Sequence, residues 1–103
     1  MESFLLNILD AVKYLKDCCK DSNGLIPQSF GCYYCGITND IERRVREHNA
    51  ECLGYIKAET AQDAKDLEVL MHEEGFDTGD QLGNGSLDSV YVYVYRKTSN
   101  TFE

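Results

Sequence analysis

Phe4, Leu5, Ile8, Leu9, Val12 and Leu15 recur at helical spacing. At about 100° per residue they share one face, with Lys13, Lys16 and Asp17 away from its centre. The pattern predicts a helix over 3–18 whose apolar stripe packs on the domain, the alternative being a helix that docks on a partner or a second copy. Residues 21–28 carry Asn23, Gly24 and Pro27 and read as a loop. Residues 30–38 are rich in aromatic and β-favouring types and read as a strand. Asn39 then offers an N-cap with Glu42 three residues on, opening a second helix that runs to about Asn49. A short strand is expected over 53–58, and Thr60 opens a third helix that ends at Gly75, a residue suited to a left-handed cap. Residues 77–86 hold Gly79, Gly83 and Gly85 and read as a loop. Residues 90–96 alternate valine and tyrosine at period two, the clearest strand of the chain. The order helix–strand–helix–strand–helix–strand predicts an α+β fold: a small, three-stranded, mainly antiparallel sheet flanked by about three helices.

With 103 residues, the chain fits a single domain spanning 1–103, the helix at 3–18 packed on a core of 30–97. Hydrophobic residues at 43% and charged residues at 27% argue against a disordered chain. No apolar run approaches the ~20 residues of a membrane span. Lys and Arg total 10 against 18 Asp and Glu, a net charge of -8. That balance disfavours a purely electrostatic nucleic-acid binder and predicts few phosphate contacts, with a protein partner supplying further affinity. Five cysteines are an odd number, and the opening ten residues lack a basic start and are interrupted by Asn7 and Asp10. An intracellular compartment, cytoplasm or nucleus, is therefore expected.

The second helix carries the chemical signal. With Ile41 at zero on the wheel, Val45 lies near 40°, His48 near 340° and Arg44 near 300°, one continuous stripe. Arg44 and His48 thus sit four residues apart beside the buried face, and both can contact phosphate. Arg43 and Arg46 fall on the opposite half as solvated charges. The plainer reading is that Arg44 snorkels and His48 sits favourably at a helix C-terminus. On the third helix, Ala61, Ala64, Leu67, Leu70 and Met71 form an apolar arc into which Glu68 points. A buried carboxylate needs a cation, either a side chain such as Lys65 or Arg44 or a metal ion.

The run Tyr34-Cys35-Gly36-Ile37-Thr38-Asn39-Asp40-Ile41-Glu42-Arg43-Arg44-Val45-Arg46-Glu47-His48-Asn49 resembles the second half of the GIY-YIG nuclease signature. In that family a strand with Tyr-x-Gly precedes a polar turn, a helix start with Asp-hydrophobe-x-x-Arg, and a histidine four residues after the arginine. Ala64-Lys65-Asp66-Leu67-Glu68 is similar to the helix that bears the family's metal-binding glutamate. The resemblance covers roughly 31–75. It implies a divalent-metal-dependent endonuclease that hydrolyses DNA phosphodiester bonds. Tyr34 would lie near the scissile phosphate and help deprotonate the attacking water. Arg44 would stabilise charge on the phosphate, His48 would assist proton transfer or phosphate contact, and Glu68 would hold Mg²⁺ or Mn²⁺. Arg43, Arg44 and Arg46 would contact the nucleic acid. The chemistry is coherent, because phosphodiester hydrolysis needs a cation on the phosphate, a donor for developing charge and a base for water.

The family's first motif, Gly-Ile-Tyr on its own strand, is not evident. Gly24-Leu25-Ile26 lacks the tyrosine, and Gly31-Cys32-Tyr33 is a compressed substitute that would put Tyr33 and Tyr34 on opposite faces. The third arrangement, slightly favoured, brings the C-terminal strand beside Tyr34 as a permuted sheet, supplying Tyr91, Tyr93 or Tyr95. Asn84 is a candidate match to a late asparagine of the family. The alternative function is a catalytically inactive domain of the same fold acting as a binding or regulatory module.

Other constellations are weaker. Cys32-x-x-Cys35 with Cys18, Cys19 and Cys52 invites a zinc-stabilised interaction protein, but positions three apart on a strand point to opposite faces, and small buried hydrophobes are the better account. Tyr91, Tyr93 and Tyr95 share one strand face, either as a stacking platform for bases or, the favoured reading, as a stripe covered by a helix such as the N-terminal one. Asp77, Asp80 and Asp88 read as solvated.

Overall fold

The computed structural model describes residues 8–78 and 90–102. The expected start of the first helix at 3–7, Asn84, Asp80, Asp88 and most of the glycine-rich stretch lie outside the described residues. The elements are α1 (Ile8–Asp17), β1 (Tyr33–Thr38), α2 (Ile41–Glu47), β2 (Cys52–Lys57), α3 (Ala61–Glu73) and β3 (Tyr91–Arg96). The order expected from the hydrophobic pattern holds throughout.

The strands form one antiparallel sheet in the order β1-β3-β2. The last strand of the chain is therefore the central one. Its register sets Tyr95 opposite Tyr34 and Tyr93 opposite Gly36 on one side, and Tyr93 opposite Tyr55 on the other. The C-terminal strand does lie beside Tyr34, as the permuted arrangement requires.

The alternation of β3 splits its side chains between two layers. Val92 and Val94 join Cys35 beneath Val12 and Leu15 of α1 and Ala64, Leu67 and Met71 of α3. Tyr93 and Tyr95 join Tyr34 on the other face, against Val45, Ala50 and Cys52. This corrects the expectation that the N-terminal helix covers the tyrosines. The helices take the valine face, which has no polar atom to satisfy, whereas buried phenols need hydrogen-bond partners and find them on the α2 side.

Local chemistry explains the remaining departures. Leu9 is exposed although it shares the apolar stripe of α1. The buried arc is centred on Leu15, Ile8 and Cys19, and Leu9 lies off its edge. Phe30 leaves the strand, its ring stacked on Phe76 at 4.6 Å, so β1 begins only at Tyr33. The N-cap of α2 is Asp40 rather than Asn39: its carboxylate accepts from Arg43 N at 3.2 Å, while Asn39 Oδ1 accepts from Arg43 Nη2. Thr60 caps α3 as expected.

Both α2 and α3 end in a Schellman turn. Ala50 N donates to Val45 O and Asn49 N to Arg46 O, with Asn49 at φ 52. Phe76 N donates to Met71 O and Gly75 N to His72 O, with Gly75 at φ 106. The second turn sends the chain back along β1, where Cys35 N donates to Asp77 O and Asp77 N to Tyr33 O, each at 2.9 Å. These bonds cap part of an otherwise open sheet edge.

Candidate functional site

The site is built on the phenol face of the sheet. Tyr34 sits on an edge strand because β1 alternates Tyr33, Cys35 and Ile37 toward the α1/α3 core. Its ring stacks on Tyr95 at 5.1 Å between centroids and meets the His48 imidazole at the same distance. His48 is the C-cap of α2 and is only 2% exposed. The Schellman turn behind it directs the ring onto the sheet, where Nε2 lies 2.9 Å from the Tyr93 hydroxyl. Gly36 makes the close approach of the two tyrosines feasible. A Cβ there would fall 2.6 Å from Tyr93 Oη and 3.0 Å from Tyr34 Cε1.

Arg44 rides the same α2 stripe and is half-buried. Its Nη1 lies 2.8 Å from Glu47 Oε1. That bond, with the electrostatic influence of Tyr93 and Glu47, holds the guanidinium's pKa above its ordinary value. Glu68 is buried on the inner face of α3 at 4% exposure, within electrostatic reach of Cys35 and Tyr34. Burial pushes the Tyr34 phenol above its usual pKa; the Arg44 charge opposes this, and the carboxylates of Glu68 and Asp77 add to it. Burial likewise raises Tyr93 strongly, with Arg44 opposing. Arg44 on α2 and Glu68 on α3 thus both act on the charge state of the Tyr34 phenol, in opposite directions.

Arg43 and Arg46 are exposed on the outer side of α2, as expected. Arg43 also approaches Glu47, Nε to Oε2 at 3.8 Å. The tyrosine stripe cannot serve whole as a platform for bases: Tyr93 and Tyr95 are at most 1% exposed. Tyr91 turns instead to Tyr55, edge to face at 6.1 Å. The cysteines do not assemble a zinc site. Cys32 is exposed and Cys35 buried, all five are free, and among the described residues no three His, Cys, Asp or Glu side chains converge on a metal position. A buried carboxylate suits a hard divalent ion, which keeps several waters and takes a substrate phosphate oxygen as a further ligand. Glu68 has that donor chemistry.

Two contributors carry no side-chain signal. Asp77 reaches Tyr34 by main-chain pairing, and Phe102 reaches His48 through its backbone. Neither contact leaves a trace in residue type or spacing.

No helix among the described residues is long and apolar enough to cross a membrane. A family model described as the GIY-YIG catalytic domain matches residues 27–82, more than half of the chain. The match ends before β3, the strand that completes the sheet in its centre. Comparisons with the curated proteins and with the solved structures find no significant match.

Proposed function

The chain belongs to the GIY-YIG catalytic domain family, and from that premise we propose that residues 1–103 act as one intracellular endonuclease domain that hydrolyses DNA phosphodiester bonds with a divalent metal. The observation that supports the reading is the cluster of Tyr34, Tyr93 and His48 that α2, with Arg44 on the same stripe, sets on the phenol face of the sheet.

In this reading the attacking water gives its proton to the Tyr34 oxygen, and Arg44 donates to the phosphate oxygens as charge develops there. His48 holds the Tyr93 hydroxyl beside Tyr34. Glu68 would hold Mg²⁺ or Mn²⁺, which supplies Lewis-acid polarisation of the phosphate. Arg43 and Arg46 contact flanking phosphates from the outer side of α2. The excess of acidic residues assigns further affinity to a protein partner.

The second reading, an inactive binding or regulatory module of the same fold, draws on the Arg44–Glu47 ion pair and on the deep burial of the phenols. Supercoiled plasmid incubated with Mn²⁺ separates the two. The wild-type chain nicks, whereas Glu68→Ala and Arg44→Ala lose at least about a hundredfold, the scale of a lost transition-state donor. Equal nicking by all three, or by none, leaves only the binding module. Isothermal titration with Mn²⁺ checks the metal directly, with binding expected for the wild type and lost in Glu68→Ala.

A further inference from the structure

After β3 the chain stays on the molecule and folds back over the end of α2. Lys97 N donates to Cys32 O at 2.7 Å, and Lys97 Nζ reaches Asp77 Oδ2 at 3.0 Å. A tight turn follows, with Thr101 N donating to Thr98 O at 3.2 Å and Asn100 N to Thr98 Oγ1 at 3.1 Å. The turn places Asn100 O 2.9 Å from Asn49 Nδ2, directly behind the α2 cap. Phe102 then meets His48 twice. Its N–H donates to His48 O at 2.7 Å, and its carbonyl oxygen faces His48 Nδ1.

A carbonyl oxygen only accepts. The ring nitrogen facing it must carry a hydrogen, so His48 bears its proton on Nδ1. In the neutral imidazole Nε2 is then an acceptor, and its neighbour is the Tyr93 hydroxyl at 2.9 Å. Tyr93 must therefore donate toward His48, which leaves the lone pairs of its oxygen to other donors. The polarity of a row of groups follows from one backbone carbonyl: Phe102 O, His48, Tyr93. The Phe102 side chain is 67% exposed and takes no part.

We propose that residues 97–102 form a positioning strap that fixes the Nδ1–H tautomer of His48 and thereby orients the Tyr93 hydroxyl as a donor to Nε2. Phe102 and Asn100 are positioning residues that act through His48 and touch no substrate. The tautomer is a property of the fold; its effect on hydrolysis rests on the proposed nuclease reading. In the opposite tautomer Nδ1 and the carbonyl would be two acceptors face to face, and Tyr93 would accept from Nε2 with its own hydrogen turned away from the imidazole.

Long-range ¹⁵N–¹H NMR of the imidazole nitrogens tests the strap without reference to activity. In a His72→Gln background one histidine remains. The full chain shows the Nδ1–H pattern at pH 8, and Phe102→Ala keeps it, because the main chain is unchanged. A chain ending after Thr98 moves to a pattern dominated by Nε2–H, the form that free imidazole side chains favour. Phe102→Pro removes the N–H donor to His48 O while keeping the carbonyl, at the cost of a fixed φ, and serves where the shortened chain does not fold; it gives a mixed pattern. An Nε2–H pattern in the full chain, or an unchanged Nδ1–H pattern in both altered chains, overturns the strap. In the plasmid assay the shortened chain loses kcat by about tenfold or more with little change in KM, the scale on which the outer partners of a working imidazole act. NMR as expected with no nicking by the full chain rejects the nuclease reading and leaves the strap standing. Nicking by the full chain with no tautomer change rejects the strap alone.

Discussion

Arg44 Nη1 lies 2.8 Å from Glu47 Oε1, three residues along the same helix. The guanidinium assigned to the phosphate is therefore already matched by a carboxylate on the side that faces solvent. Both side chains are substantially exposed, so the pair is loose and exchangeable. A phosphate arriving at Arg44 must displace this carboxylate, which also draws Arg43 to within 3.8 Å.

Glu47→Gln should accordingly strengthen binding of a labelled DNA duplex by roughly two- to fivefold at low salt, the effect expected from releasing one exposed ion pair. Fluorescence anisotropy with Ca²⁺ in place of Mg²⁺ measures it without turnover. Glu73→Gln, an equal change of net charge at the far end of α3, controls for bulk electrostatics. Equal gains from both variants would assign the effect to net charge and remove Glu47 as a competitor for the phosphate.

The Tyr34 phenol carries a second prediction. Burial raises its pKa above the ordinary 10.0, with Glu68 and Asp77 adding to the rise against Arg44. A general base works only in its deprotonated form, and a raised pKa leaves that form scarce at neutral pH. The nicking rate should climb close to tenfold per pH unit from pH 7 to 9 without a plateau. Tyr34→Phe should cut the rate by roughly 10²–10⁴-fold and flatten the profile. A plateau near pH 7 in the wild type, or an unchanged slope in the variant, would place the base elsewhere.

Gly36 offers a structural test of the same centre. A methyl group at this position would fall 2.6 Å from Tyr93 Oη and 2.8 Å from its Cζ, with Tyr34 Cε1 at 3.0 Å. Tyr93 is held by His48 on its far side, so neither ring can yield freely. Gly36→Ala should cost about 1–3 kcal/mol of stability by overpacking and abolish nicking in the folded fraction. Gly54→Ala makes the comparison. Its Cβ would meet Cys18, 2.9 Å from that residue's own Cβ, beneath α1 on the opposite side of the sheet. It should destabilise the fold while sparing activity per folded molecule. Denaturant titration alongside the plasmid assay separates the two outcomes.

Why part of this arrangement could be read beforehand is itself physical. Arg44, His48 and Val45 share a stripe because α2 is a regular helix, and the periodicity of 3.6 residues places side chains without knowledge of the rest of the fold. Tyr33 and Tyr34 part to opposite faces for the equivalent reason in a strand. Glu68 was legible because a carboxylate inside an apolar arc is costly anywhere. What stayed hidden depends on pairing between distant segments. Nothing local in the valine–tyrosine alternation says which of its faces meets helices α1 and α3; that is decided by where a buried hydroxyl finds a partner. The N-cap moved from Asn39 to Asp40 because Asn39 is taken by Arg43, a choice that spacing alone leaves open. Main-chain contacts such as Phe102 to His48 have no residue code at all.

The buried thiols predict the alkaline limit of stability. Burial raises Cys19 from 9.0 to about 12 and pushes Cys35, fully enclosed, well above 9.0 with Glu68 adding to the shift. A thiol whose folded pKa exceeds its unfolded value contributes in full below the unfolded pKa. Above pH 9 the unfolded chain loses protons that the folded chain retains, so stability falls, by about 1.4 kcal/mol per pH unit for each such group. Urea titrations at pH 7.5 and pH 10 should show this drop. Cys35→Ala should cost about 1 kcal/mol at pH 7.5 through the lost sulfur contacts and make the alkaline decline shallower. The same decline in the variant would mean that Cys35 ionises normally in the folded protein.

The salt dependence of DNA binding follows from how few cations face outward beside the site. Each neutralised phosphate releases counterions and contributes about -0.9 to the slope of log affinity against log salt. Arg44, Arg43 and Arg46 are the cations that α2 carries, and the first two are shared with Glu47. With a net charge of -8 the rest of the surface repels the duplex, within about a Debye length, rather than steering it. The slope should therefore be no steeper than about -3, the value for roughly three contacts. Arg46→Ala should reduce its magnitude by about one and weaken binding alike for every sequence tested, because a phosphate contact carries no base information. Anisotropy titrations from 25 to about 200 mM salt, a range over which such contacts are readily resolved, supply the measurement. A slope well beyond -3 would mean that cations outside α2 dominate the interface, and Arg46→Ala would then leave it unchanged.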